Sequence, residues 1–93
     1  MKVVHNNIRI RGKVQGVGFR EVTKYVADQA GIKGFVRNEA DGSVYIEAEA
    51  EQWELDSFFD WCNEGPDRAR VDSCVADVSE ELKHFKDFVI LKK

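Results

Sequence analysis

Between residues 8 and 14 the chain alternates, with Ile8, Ile10 and Val14 set against Arg9, Arg11 and Lys13. A period of two is that of a strand with one buried face. Gly12, Gly16 and Gly18 then break the pattern. From Phe19 the apolar positions step by three and four, through Val22, Val26 and Ala30, which predicts a helix with one face turned to a core. Gly31 is a natural C-terminal cap. Gly34-Phe35-Val36-Arg37-Asn38 is short and β-prone, Ala40-Asp41-Gly42 carries turn chemistry, and Val44, Ile46 and Ala48 alternate with Tyr45, Glu47 and Glu49. Together they predict a β-hairpin. Leu55, Phe58, Phe59 and Cys62 then fall on one side of a second helix, which Gly65-Pro66 ends.

Residues 69–79 and 85–91 are strand-like. In the first of them Val71 and Val75 are out of step with Cys74, Ala76 and Val78, a phase conflict that a bulge or bend would reconcile. The order is βαββαβ with a short extra C-terminal strand. Two helices on one face of an antiparallel sheet make an α+β fold, a two-layer sandwich of ferredoxin-like type.

Ninety-three residues, 43% of them hydrophobic and including 6 Phe, 2 Trp and 2 Tyr, suffice for one packed core, so residues 1–93 are expected to form a single domain. The formal charge of -3 supplies no general attraction for nucleic acid or an anionic membrane. An anion would have to be held by a local device. No apolar run is long enough to span a bilayer, and polar His5, Asn6 and Asn7 follow the start too soon for a signal peptide; the expected address is cytoplasmic. Cys62 and Cys74 lack metal-site spacing and are expected to be half-buried free thiols. His5 and His84 are lone histidines, expected at a surface or an edge. No metal and no cofactor site is legible. Trp53 and Trp61 lie on the second helix, where core or helix-edge packing is the expectation. Arg9, Arg11 and Lys13 form a basic stripe, a solvated face that would also steer anions.

The candidate chemistry sits in G-K-V-Q-G-V-G-F-R, residues 12–20. A strand, a glycine-rich turn and a helix N-terminus gather unpaired backbone N–H groups at the positive end of a helix dipole, a geometry that holds anions. Gly16 and Gly18 can take the positive φ angles of such a nest, and Arg20 adds a planar fork matched to phosphate oxygens. A tight strand-to-helix connection needs glycine in any case, and by itself that reading accounts for the loop. Arg20 tilts the balance, because a cation at this helix end is disfavoured by about 0.3–1 kcal/mol, which an anionic ligand would offset. The loop lacks the Gly-Lys-Ser/Thr ending of a nucleotide-binding P-loop.

These nine residues resemble the first signature of the acylphosphatases. Residues 34–38, followed by Gly42-Ser43-Val44, are similar to the second signature of that family. The resemblance extends over nearly the whole chain and departs at Ala50, where a glycine is usual. It implies hydrolysis of the carboxyl–phosphate bond of small acyl phosphates, without a metal, by a monomer. It assigns two residues, Arg20 holding the phosphoryl group with the loop's backbone amides and Asn38 orienting the attacking water; phosphate binding is expected at Gln15, Gly16, Val17, Gly18, Phe19 and Arg20, with Gln15 serving the loop's own hydrogen bonds. Glu39, next to Asn38, would weaken binding if its side chain pointed inward. The competing expectation is a module that holds phosphate or another anion without turnover, or an accessory domain of a carbamoyl-transfer system. RNA binding on the sheet lacks the aromatic signature it needs.

Overall fold

A computed structural model describes residues 2–92. Its elements follow the order β1 (Val3–Lys13), α1 (Phe19–Ala30), β2 (Lys33–Asn38), β3 (Val44–Glu51), α2 (Gln52–Glu64), β4 (Arg70–Ser79) and β5 (Phe88–Leu91). The strands form one sheet ordered β4-β1-β3-β2-β5. Four of them pair antiparallel, whereas β5 runs parallel to β2, so the antiparallel sheet expected from the element order is mixed at one edge. The architecture is the ferredoxin-like two-layer sandwich.

The helices cover the face that the alternation predicts. Ile8 and Ile10 of β1, Val36 of β2, and Val44, Ile46 and Ala48 of β3 are buried there with Phe19 and Ala27 of α1 and Leu55, Phe58 and Cys62 of α2. Trp61 packs on Phe19 and Phe58, while Trp53 stays 66% exposed. Glu51 caps α2 in a reciprocal box with Glu54. Gly31, in left-handed geometry, closes α1 by donating to Ala27 and Asp28 carbonyls. No helix among the described residues is long and apolar enough to cross a membrane.

The phase conflict in β4 has two origins. The register against β1 slips between Arg11↔Ser73 and Gly12↔Val71, leaving Asp72 as the extra residue of a bulge that returns Val71 to the helix-covered side. Val75, paired with Arg9, lies on the opposite face and is 58% exposed.

Because β4 and β5 occupy opposite edges, residues 80–87 must cross the sheet. They cross the face without helices, and His5 is buried beneath them, 1% exposed, contrary to its expected surface or edge position. Phe85 stacks on its ring. Its Nδ1 lies 2.7 Å from Glu49 Oε2 and its Nε2 3.1 Å from Glu47 Oε1. Glu49 also accepts the backbone N–H groups of Lys83 (2.6 Å) and Phe85 (3.2 Å), and Lys83 Nζ pairs with Glu47 at 2.7 Å. Ala50 pairs with Val4, at the end of β3 remote from the glycine loop.

Candidate active site

Beyond Lys13 the chain passes to α1 through a loop pinned by buried side chains, those of Val14, Val17 and Phe19. Gly16 and Gly18, between these anchors, are exposed. Their φ angles of 72° and 77° are the left-handed values that turn successive N–H groups toward one concavity. A Cβ at either would meet nothing within 4 Å, so a ligand can approach the main chain there. Gly18 is the N-cap of α1 and supplies no side-chain cap. The helix ladder starts with Val22 N–H donating to Gly18 C=O at 3.1 Å, so the amides of the first turn before Val22 have no partner inside the helix.

Arg20, in that first turn, and Asn38, the last residue of β2, line the same cavity of about 380 Å³, together with Glu39, Ala40, Leu91 and Lys92. Among the described residues the Arg20 side chain has no hydrogen-bond or ion-pair partner. Asn38 Oδ1 is buried and is likewise unpartnered. An unsatisfied buried acceptor costs about 1–3 kcal/mol, and such groups persist where a ligand or water is to be held.

Glu39 lines the cavity too, but its carboxylate is held by Arg37 Nε at 2.8 Å and approached by Arg9 Nη1 at 3.6 Å. The basic stripe is largely occupied in this way. Arg9 also donates to Ser43 Oγ at 3.0 Å, and Arg11 donates to Asp41 Oδ2 at 2.9 Å. Hydrogen bonds from the Ser43 hydroxyl and amide, and then from Arg11, hold the Asp41 carboxyl well below the usual carboxylate range. A concavity of about 430 Å³ on the uncovered sheet face is lined by these arginines and Tyr45. Its cations are already paired, so it carries less unbalanced charge than the cavity at Arg20.

Gln15 uses its side chain differently from its neighbours in the loop. Its amide donates to the carbonyls of Glu39 (2.8 Å) and Ser43 (2.9 Å), which spends both protons on the β2–β3 turn. Burial pushes the Cys74 thiol up to about 11 and the Cys62 thiol well above its ordinary value, so neither is a thiolate nucleophile at neutral pH. Among the described residues no group of three or more His, Cys, Asp or Glu side chains is placed to hold a metal.

Leu91 and Lys92 line the cavity although no sequence motif points to them. They reach it because β5 lies parallel to β2 and ends beside Asn38 (Arg37↔Leu91), and no local pattern encodes which edge of a sheet a short strand joins.

Fold and cavity describe a ferredoxin-like sandwich with a cationic cleft where the first strand turns into the first helix. A family profile for acylphosphatase matches residues 6–90. The chain is 43% identical over 82 residues to the acylphosphatase of Marinobacter nauticus, covering 88% of this chain and 89% of that one. The crystal structure of acylphosphatase from Bacillus subtilis superimposes with a TM-score of 0.92 at 33% identity, over 95% of this chain and 98% of that one. Full-length HypF, in its phosphate- and nucleotide-bound form, matches with a TM-score of 0.85 at 31% identity, over 98% of this chain but 12% of its own. The chain belongs to the acylphosphatase family, and its activity is that of an acylphosphatase.

Proposed function

We propose that residues 1–93 act as one catalytic unit that hydrolyses small acyl phosphates to a carboxylate and inorganic phosphate, with Arg20 and Asn38 as the catalytic residues. The observation that carries this is their meeting in one cavity, with Arg20 two residues after Gly18 of the left-handed glycine loop. In this reading the main-chain amides of Gln15, Gly16, Val17, Gly18 and Phe19 surround the phosphoryl oxygens, and the Arg20 guanidinium grips two of them. Val17 and Phe19 contribute backbone only, since their side chains are buried.

Phosphoryl transfer is loose, with charge spread over the equatorial oxygens, so preorganised donors supply much of the stabilisation. Water attacks phosphorus in line, the bond from phosphorus to the carboxyl oxygen breaks, the electron pair leaves with the carboxylate, and the water's proton passes to a phosphate oxygen of the product. That leaving group has a pKa of about 4 and needs no general acid. Asn38 neither takes nor gives the proton at neutral pH; its carboxamide holds the water on the line of attack, and orientation lowers the barrier. The amides, Arg20 and Asn38 thus suffice without a metal.

The reading includes a monomer, a cytoplasmic address, supported by the free thiols Cys62 and Cys74, and no nucleic-acid partner, supported by the net negative charge. The test is hydrolysis of benzoyl phosphate in EDTA beside p-nitrophenyl phosphate. We expect cleavage of the first at a rate the chelator leaves unchanged. Cleavage of the monoester alone, or inhibition by EDTA, would overturn the mechanism.

A further inference from the structure

Asn38 can aim a water at phosphorus only if its distance from the phosphate loop is fixed, and strand pairing fixes it only as far as Ile10, through Asn38↔Val44 and Ile10↔Val44. The β1–β3 ladder stops at Ile10↔Val44, before the loop begins and after the β2–β3 turn has ended. That turn is closed on itself by Glu39 N–H donating to Ser43 C=O (2.9 Å) and Gly42 N–H donating to Glu39 C=O (3.1 Å). Asp41 Oδ1 accepts from the Ser43 amide (3.0 Å) and hydroxyl (2.6 Å). Arg9 and Arg11 hold it from β1. From the loop itself the Gln15 amide reaches this turn, at 2.8 Å from Glu39 O and 2.9 Å from Ser43 O.

The chemistry of that amide argues against direct contact with phosphate. Both N–H bonds are spent on carbonyls, and the remaining Oε1 is an acceptor, which repels an anion. Its two targets are the ends of the turn that starts directly after Asn38. We infer, on the reading of the site given above, that Gln15 is a positioning residue: it ties this turn to the phosphate loop and so sets Asn38 relative to the bound phosphoryl group. Its loss leaves the nest and Arg20 in place while the carboxamide drifts, and a misplacement of about 1 Å costs on the order of 10²-fold in rate. Binding and turnover are therefore separable at this residue.

The test uses Gln15→Met, which keeps the stem and removes both donors, with Gln15→Asn, whose amide is one methylene too short to reach both carbonyls. Asn38→Ala is measured in parallel, and urea unfolding confirms that each variant is folded. We expect kcat on benzoyl phosphate to fall about 10- to 100-fold in both Gln15 variants, with the inhibition constant of inorganic phosphate within about twofold of the parent protein. A phosphate inhibition constant that rises in step with the loss of kcat/KM would make Gln15 a phosphate ligand and overturn the inference. So would unchanged turnover in the Gln15 variants alongside an inactive Asn38→Ala, although the site reading would then survive. Parent-like turnover in Asn38→Ala would remove the reading and the inference together.

Discussion

In the proposed mechanism Arg20 grips and Asn38 aims, and truncating each separates the two roles. Arg20→Ala removes a charge-assisted contact worth about 1.5–3 kcal/mol, so phosphate inhibition and kcat/KM should both weaken by roughly 10- to 150-fold. Phosphate affinity equal to the parent's would contradict the grip. Asn38→Ala should lose at least about 10²-fold in kcat while phosphate still inhibits. Arg20 stands out by a local feature, a cation at a helix N-terminus, and Asn38 only through the resemblance to the family's second signature; that the two line one cavity is what the structure adds. The destination of the Gln15 amide was not legible in the sequence, since its acceptors Glu39 and Ser43 are 24 and 28 residues away in the chain. On sequence alone Glu39 is a charge that would oppose an anion; its pairing with Arg37 and Arg9 depends on β1 and β2 lying on either side of β3.

The glycine loop works as an element because its buried side chains and its exposed glycines alternate. Val14, Val17 and Phe19 anchor it in the core, leaving Gly16 and Gly18 to shape the main chain. Gly18→Ala introduces no clash, so its effect isolates backbone strain at φ 77°. We expect a loss of stability of about 1–2 kcal/mol by urea unfolding, together with weaker phosphate inhibition as the first-turn amides move. Unaltered stability would mean that the left-handed geometry at this N-cap is not required. In β4 the sequence pattern located the irregularity, but Val71 and Val75 proved to be out of step for different reasons, one through the bulge at Asp72 and one by facing the uncovered side.

For the whole molecule, the crossing from β4 to β5 is what brings Leu91 and Lys92 to the cavity, and Glu49 fastens that crossing. Burial pushes the Glu49 carboxyl up, and hydrogen bonds from His5 and from the backbone amides of Lys83 and Phe85 more than reverse this, leaving it below the ordinary value. Glu47 behaves alike, with burial outweighed by Lys83 and Tyr45. A depressed carboxylate contributes stability that is complete above its unfolded pKa of about 4.3 and is lost as pH falls through the folded value. Stability in urea should therefore decline below about pH 4.3. Glu49→Gln places an amide donor or a weaker acceptor against two backbone N–H groups. It should cost about 1.5–3 kcal/mol near pH 7 and flatten the acid decline; an identical acid limb in both proteins would show that Glu49 does not anchor the crossing.

Local patterning by itself determined the two helices, the first three strands, their buried faces and the glycine loop between β1 and α1, because each depends on residues a few positions apart. The tertiary structure alone decided that β5 joins β2 in parallel, that His5 is buried under residues 80–87, and that Gln15 reaches the turn after Asn38. These are contacts between segments tens of residues apart, and their partners are selected by packing the whole sheet, which no short window of sequence contains.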